Sequence, residues 1–170
     1  MKKLFSTFAV IGVLFVLGAG IAAAQDATEL TDNFYATLRD LNVRGLPDKD
    51  QLKELKPFLS SQIVTIIKRN QKTQAAFMKK HPDEKPPWAE GDLFSSLFEG
   101  PTSYQIGNIR TKGSTREVDI YLHHVSESDK VKWTDTVVLK KFGGKWLVTN
   151  IIFKGKWQFK SGSSLLNALK

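Results

Sequence analysis

The apolar positions change their period once along the chain. Up to about residue 100 they recur at helical spacing, and from Ser103 onward they alternate. Leu30, Phe34, Leu38 and Leu41 fall on one face of a helix over Asp26–Leu41, with Asp26 and Glu29 in a capping arrangement. Asn42–Pro47, containing Gly45, ends it. Pro47 pre-sets the start of a short helix, Asp48–Leu55, whose apolar edge is Leu52 and Leu55. Pro57 interrupts the pattern. Ser60 or Ser61 then caps a third helix running to about Lys80. Its inward face is Ile63, Ile66, Ile67 and Phe77, and its wet face carries Lys68, Arg69, Gln71, Lys72 and Lys79. His81–Glu90 holds Pro82, Pro86 and Pro87 and reads as a loop. Gly91-Asp92 opens a helical turn carrying Phe94, Leu97 and Phe98, stopped by Gly100-Pro101.

The second half predicts strands. Tyr104–Arg110 is the first, Gly113-Ser114 turns the chain, and Thr115–Val125 is the second. Val118, Ile120 and Leu122 point one way; Glu117, Asp119, Tyr121 and His123 point the other. Ser126–Lys130 is a polar turn. Val131–Phe153 is a hairpin closed on Gly143-Gly144, because a two-residue primed turn needs positive φ and glycine adopts it without a Cβ clash. Lys156–Lys160 is read as a continuation of the edge, and Ser163 or Ser164 caps a last short helix with Leu165, Leu166 and Leu169. Helices first and antiparallel strands after predict an α+β domain, with helices on one face of a curved four-stranded sheet.

Counting outward from the glycines pairs Leu139 with Val148, Val137 with Asn150 and Asp135 with Ile152. Trp133, Asp135, Val137, Leu139, Trp146, Val148, Asn150 and Ile152 then share the more apolar face, assigned to the core. Asp135 and Asn150 are the polar pair on it, diagonal neighbours within reach of each other or of a ligand. A buried carboxylate must be paired or raise its pKa. Asp135 is therefore either a structural acceptor of hydrogen bonds or a general base oriented by Asn150. Trp133, Asp135, Trp146 and Asn150 are the expected ligand cleft.

The first residues add an address. Lys2 and Lys3, an apolar run over Leu4–Ile21, and Ala22-Ala23-Ala24 before Gln25 make residues 1–24 a signal peptide, with a single domain over 25–170. The alternative is a retained anchor, though the apolar run is short for a span. No cysteine is present, which excludes disulfides, thiolate metal sites and lipoprotein modification. A periplasmic or secreted, lipid-free protein is expected. Taking Lys2 and Lys3 from the formal net charge of +8 leaves +6, spread without a basic block. That suits a solvated surface, or attraction to anionic envelope components; export argues against nucleic acid.

Other chemistry is sparse. His123 and His124 are adjacent on a strand, so they face opposite ways and cannot chelate one metal. There is no metal-ligand spacing, phosphate loop or nucleophile motif, and no cofactor is expected. Trp88, beside Pro86-Pro87, is either an exposed contact residue or packed over the mouth of the core.

Several short motifs occur in a suggestive order: L-K-P-F-L-S-S-Q-I at Leu55–Ile63, G-D-L-F-S-S at Gly91–Ser96, W-T-D-T-V-V-L at Trp133–Leu139, K-W-L-V at Lys145–Val148, and the Ser/Leu-rich tail Gly155–Leu169. In that order the chain resembles the cone-shaped fold of nuclear transport factor two (cystatin-like in outline). More narrowly, it resembles an uncharacterised bacterial envelope family that is YbjP-like. The resemblance implies a domain of unknown function, with no catalytic residue to carry over and, from the wider fold, a homodimer through the sheet. A lipid-anchored relative would carry a cysteine that this chain lacks.

The resulting expectation is an exported, non-catalytic domain that binds an envelope protein or a small apolar ligand. Trp88, Glu117, Asp119, Tyr121 and His123 are its expected partner surface. The alternatives are an isomerase-, dehydratase- or cyclase-like enzyme using Asp135 as base, and an inhibitor or immunity protein for an exported toxin.

Overall fold

The computed structural model describes residues 27–157 and 163–170. The signal peptide, the capping role of Asp26 and most of the Lys156–Lys160 segment lie outside the described residues; Lys156 and Trp157 make no strand. The chain is α+β, with helices first, then an open four-stranded antiparallel sheet, then a short helix. Helix α1 spans residues 27–40, α2 Lys49–Leu55 and α3 Ser61–Lys80. The strands are β1 Ser103–Lys112, β2 Thr115–Val125, β3 Lys130–Phe142 and β4 Lys145–Ile152, ordered β1-β2-β3-β4; α4 is Leu165–Ala168.

Local chemistry sets the boundaries. Asp48 accepts from the N–H groups of Asp50 and Gln51, and the Gln51 side chain answers the Asp48 N–H, a reciprocal cap on α2. Ser60, rather than Ser61, caps α3 by accepting from the Ile63 N–H at 3.4 Å. Gly143 and Gly144 both have positive φ, 54° and 86°, as the hairpin turn requires.

The core lies between the helices and the inner sheet face. Phe34, Leu55, Ile63 and Ile67 from the helices meet Val118, Ile120, Leu122, Val137, Leu139 and Ile151, all fully buried. Burying each such side chain contributes about 1.5–3 kcal/mol. One edge of β4 is covered at both ends: Leu59 bridges Val148, and Ser164 bridges Ile152.

Two irregularities change the expected faces. In β1 the register shifts between Ile106 and Ile109, so both isoleucines pack on the core while Gly107 sits under the Tyr121 ring. In the hairpin the register shifts after the Leu139–Val148 pair. Asn150 then faces Val138, not Val137, and Ile152 faces Thr136, not Asp135. The extra residue is Thr149, whose hydroxyl donates to the Val138 carbonyl at 3.0 Å. A one-residue slip exchanges the faces beyond it. Ile151 and Phe153 are therefore buried, where Asn150 and Ile152 had been expected.

A second correction concerns Gly91–Gly100. It is a run of bends, not a helical turn. Leu93 to Leu97 are five consecutive buried residues, which no single helix turn could hide on one side. The segment's N–H groups go to carboxylates instead of to carbonyls a turn earlier: Phe94 to Asp92 at 2.6 Å and Ser96 to Asp135 at 2.8 Å.

Candidate functional site

Asp135 is fully buried and fully engaged. One oxygen accepts from the Ser96 hydroxyl and the Lys154 N–H, both at 2.8 Å. The other accepts from the Ser96 N–H at 2.8 Å and the Trp133 indole at 3.1 Å. Two backbone and two side-chain donors fill the roughly four acceptor positions a carboxylate offers. Ser96 also accepts from the Gly155 N–H at 3.1 Å, and a Cβ on Gly155 would overlap the Ser96 hydroxyl and the Trp157 indole nitrogen. Asp135 thus ties the 91–100 segment and the chain after β4 to the middle of the sheet.

Asn150 is not its partner. The Asn150 side-chain oxygen accepts from the N–H groups of Ile151 at 3.0 Å and Leu166 at 3.1 Å, holding the start of α4. The four expected cleft residues are not brought together. Trp133 stays with Asp135 and meets Trp157 edge-on at 5.9 Å. Trp146 pairs opposite Lys141, eight residues from Trp133 on β3, roughly 26 Å along the strand. Arg116 and Lys141 stand over its ring at 5.1 and 5.6 Å. With Leu30, Pro57 and Phe58 it lines a shallow groove of about 320 Å³.

On the outer sheet face Asp119 is committed to its neighbours. It pairs with Arg110 through both oxygens, accepts from Thr136 at 2.7 Å and lies 3.3 Å from the Lys154 ammonium. Arg110 foremost, then Thr136 and Lys154, hold its carboxyl well below the usual range against the cost of its burial. Glu117 pairs with Lys112 at 2.9 Å and Arg110 at 3.6 Å, and the Lys112 bond lowers its pKa. Tyr121 and His123 are half-buried beside them, and the His123 carbonyl accepts from the Thr102 N–H at 2.8 Å. Trp88 packs on the core and donates its indole N–H to the Ala168 carbonyl at 2.8 Å, pinning α4 to the 81–90 loop.

The group that stands apart is Asp92. It lines a pocket of about 100 Å³ between the end of α1, the 42–44 loop, the 91–100 segment and the start of β1. Tyr35, Leu38, Val43, Phe94 and Tyr104 give it apolar and aromatic walls, and Arg39 and Arg44 stand at its exposed side. Burial pushes the Asp92 carboxyl up to about 6; the Phe94 N–H bond and the Arg44 charge oppose this, and the Asp135 charge adds to it. The Tyr35 phenol is 3% exposed, and its hydroxyl has no hydrogen-bond partner. Its pKa is raised well above the ordinary value by burial, with the charges of Asp135 and Asp92 adding. Tyr104, whose ring lies 5.3 Å from that of Tyr35, donates to the Asp32 carboxylate at 3.0 Å, so its own hydroxyl is satisfied.

Sequence reasoning gave Asp92 only a capping role and passed over Tyr35. The available signal was a tyrosine next to Phe34 on the inward stripe of α1, a hydroxyl sent where an apolar side chain suffices.

Among the described residues, no group of three or more His, Asp or Glu is placed to hold a metal ion, and no helix is long and apolar enough to cross a membrane. Compared with known proteins, the chain matches no family model, no curated protein and no solved structure.

Proposed function

We propose that this chain is an exported, non-catalytic binding domain that takes a small ligand in the Asp92 pocket. The observation that carries the reading is a carboxyl raised by burial in the wall of a small cavity, with two arginines in the same lining. Export rests on the leader pattern at the N-terminus. The non-catalytic part rests on Asp135, whose bonds leave its oxygens no position for a substrate proton. The cavity is well below the roughly 300 Å³ of a drug-sized site, so the ligand, or the part of it held here, has few heavy atoms.

The test is nuclear magnetic resonance mapping on the purified full chain with a panel of small solutes: acetate, ethylammonium, ethylene glycol and acetamide. At least one should shift the amides of Tyr35, Asp92, Phe94 and Tyr104 together, with saturation. Shifts confined to the Trp146 groove, or none, would overturn the reading.

A further inference from the structure

We propose that the Asp92 pocket is built for a small zwitterion of the α-amino acid class, its ammonium held by Asp92 and its carboxylate held by Arg39 and Arg44. This rests on the binding-domain reading above and names the ligand of that site.

The inner end of the pocket asks for a donor. Asp92 uses one oxygen to accept from the Phe94 N–H. Its other oxygen lies against Gly100, a residue at φ 73° whose missing Cβ makes the room that the Asp92 carboxyl occupies. An ammonium offers three donors and a charge opposite to that of the carboxylate. A simple anion would meet Asp92 unfavourably, with the Asp135 charge behind it.

The exposed end asks for an anion. Arg39 gives two N–H bonds to the Asp40 carboxylate, and Arg44 gives one to the Glu99 carbonyl. Each guanidinium carries five N–H donors, so these bonds leave donors over on both. A cation alone would feel Arg44 as a repulsion, since Arg44 already acts on Asp92. A molecule with both charges close together satisfies both ends. Leu38, Val43 and Phe94 leave a short apolar side chain somewhere to lie. About 100 Å³ suits a small amino acid such as glycine, alanine or serine.

Ionisation of Asp92 is part of the design. The charged and titratable groups around it are Tyr35 and Arg39 from α1, Arg44 from the following loop, Tyr104 from β1 and Asp135 from β3. With its carboxyl at about 6, Asp92 is ionised at pH 7 and largely protonated at pH 5. Ammonium binding therefore weakens about tenfold between those values.

The experiment is titration of the purified full chain with L-alanine, ethylammonium and acetate, followed by resonance shifts at Tyr35, Asp92 and Phe94. Alanine should bind more tightly than either fragment. Asp92→Asn, which keeps an acceptor for the Phe94 N–H, should lose at least tenfold for alanine and ethylammonium. Arg44→Gln should weaken alanine at least fivefold and leave ethylammonium unchanged or tighter. Acetate binding without ethylammonium, or alanine binding unaffected by Asp92→Asn, would overturn the inference. If neither amine binds but another solute shifts the same amides, the zwitterion falls while the binding pocket stands; if no solute does, both fall.

Discussion

Asp135, which binds the 91–100 segment, and Asp92, which belongs to it, are two acidic side chains in opposite circumstances. Asp135 is closed off by four donors from three parts of the chain. Asp92 has a bond from Phe94, a cavity on its other side and a buried phenol nearby that bonds to nothing. Both are drawn out of bulk water, Asp135 fully and Asp92 in part, so burial by itself does not mark a site. What differs is whether the protein has already supplied the partners that a buried charge requires. Where it has, the carboxylate is a joint. Where it has not, the unmet demand is what the proposed ligand would meet.

The comparison breaks most visibly at Asp135. Asp135→Ala leaves the buried Ser96 N–H and the part-buried Lys154 N–H without an acceptor. At about 1–3 kcal/mol for each stranded donor, a loss on the order of 4 kcal/mol is expected from denaturant unfolding. A loss under about 1 kcal/mol would mean that Asp135 does not hold these segments.

Asp92 should respond with the opposite sign. Its folded pKa, about 6, stands above the ordinary 3.8, so ionisation opposes folding. The advantage of the protonated form is complete below about pH 4 and is lost as pH rises through 6. Two units correspond to at most on the order of 3 kcal/mol, reduced because the carboxyl keeps some solvent contact. Asp92→Asn should therefore stabilise the ligand-free protein at pH 7 by about 1–3 kcal/mol and flatten its profile between pH 4 and 6. Asp119, held low by Arg110, acts in the other direction and only below the ordinary carboxylate range, so the two windows do not overlap.

Ser96→Ala tests the joint more gently. It removes one bond to Asp135 and the acceptor of the Gly155 N–H, for a loss of about 1–2 kcal/mol by thermal unfolding. Tyr35→Phe sharpens the other side of the contrast. Deleting an unpartnered buried hydroxyl should change stability by less than about 1 kcal/mol, toward greater stability if anything. A loss of 2 kcal/mol would show that the phenol already has a partner.

Much of the fold was legible in the residues and the pocket was not, for one physical reason. Periodicity, caps and turns are local. The Gly143-Gly144 hairpin, the Ser60 cap and the β2 boundaries depend on neighbours within a few positions, and all were readable. The Thr149 bulge has no comparable local mark, and one extra residue moved Asn150 away from Asp135 and put Ile151 and Phe153 in the core. The bends at 91–100 follow from what Asp135 accepts 39 residues later. The pocket joins Tyr35, Arg44, Asp92 and Tyr104, which only the packing of α1 against β1 and the 91–100 segment brings together. Asp135 was recognisable as a buried carboxylate; its filled coordination was not.

The contrast turns on the state of Asp92. The direct measurement is a carbon-13 titration of its side-chain carboxyl in the ligand-free protein. The account predicts a midpoint near pH 6. A midpoint near 4 would place the carboxyl in ordinary water and contradict the account.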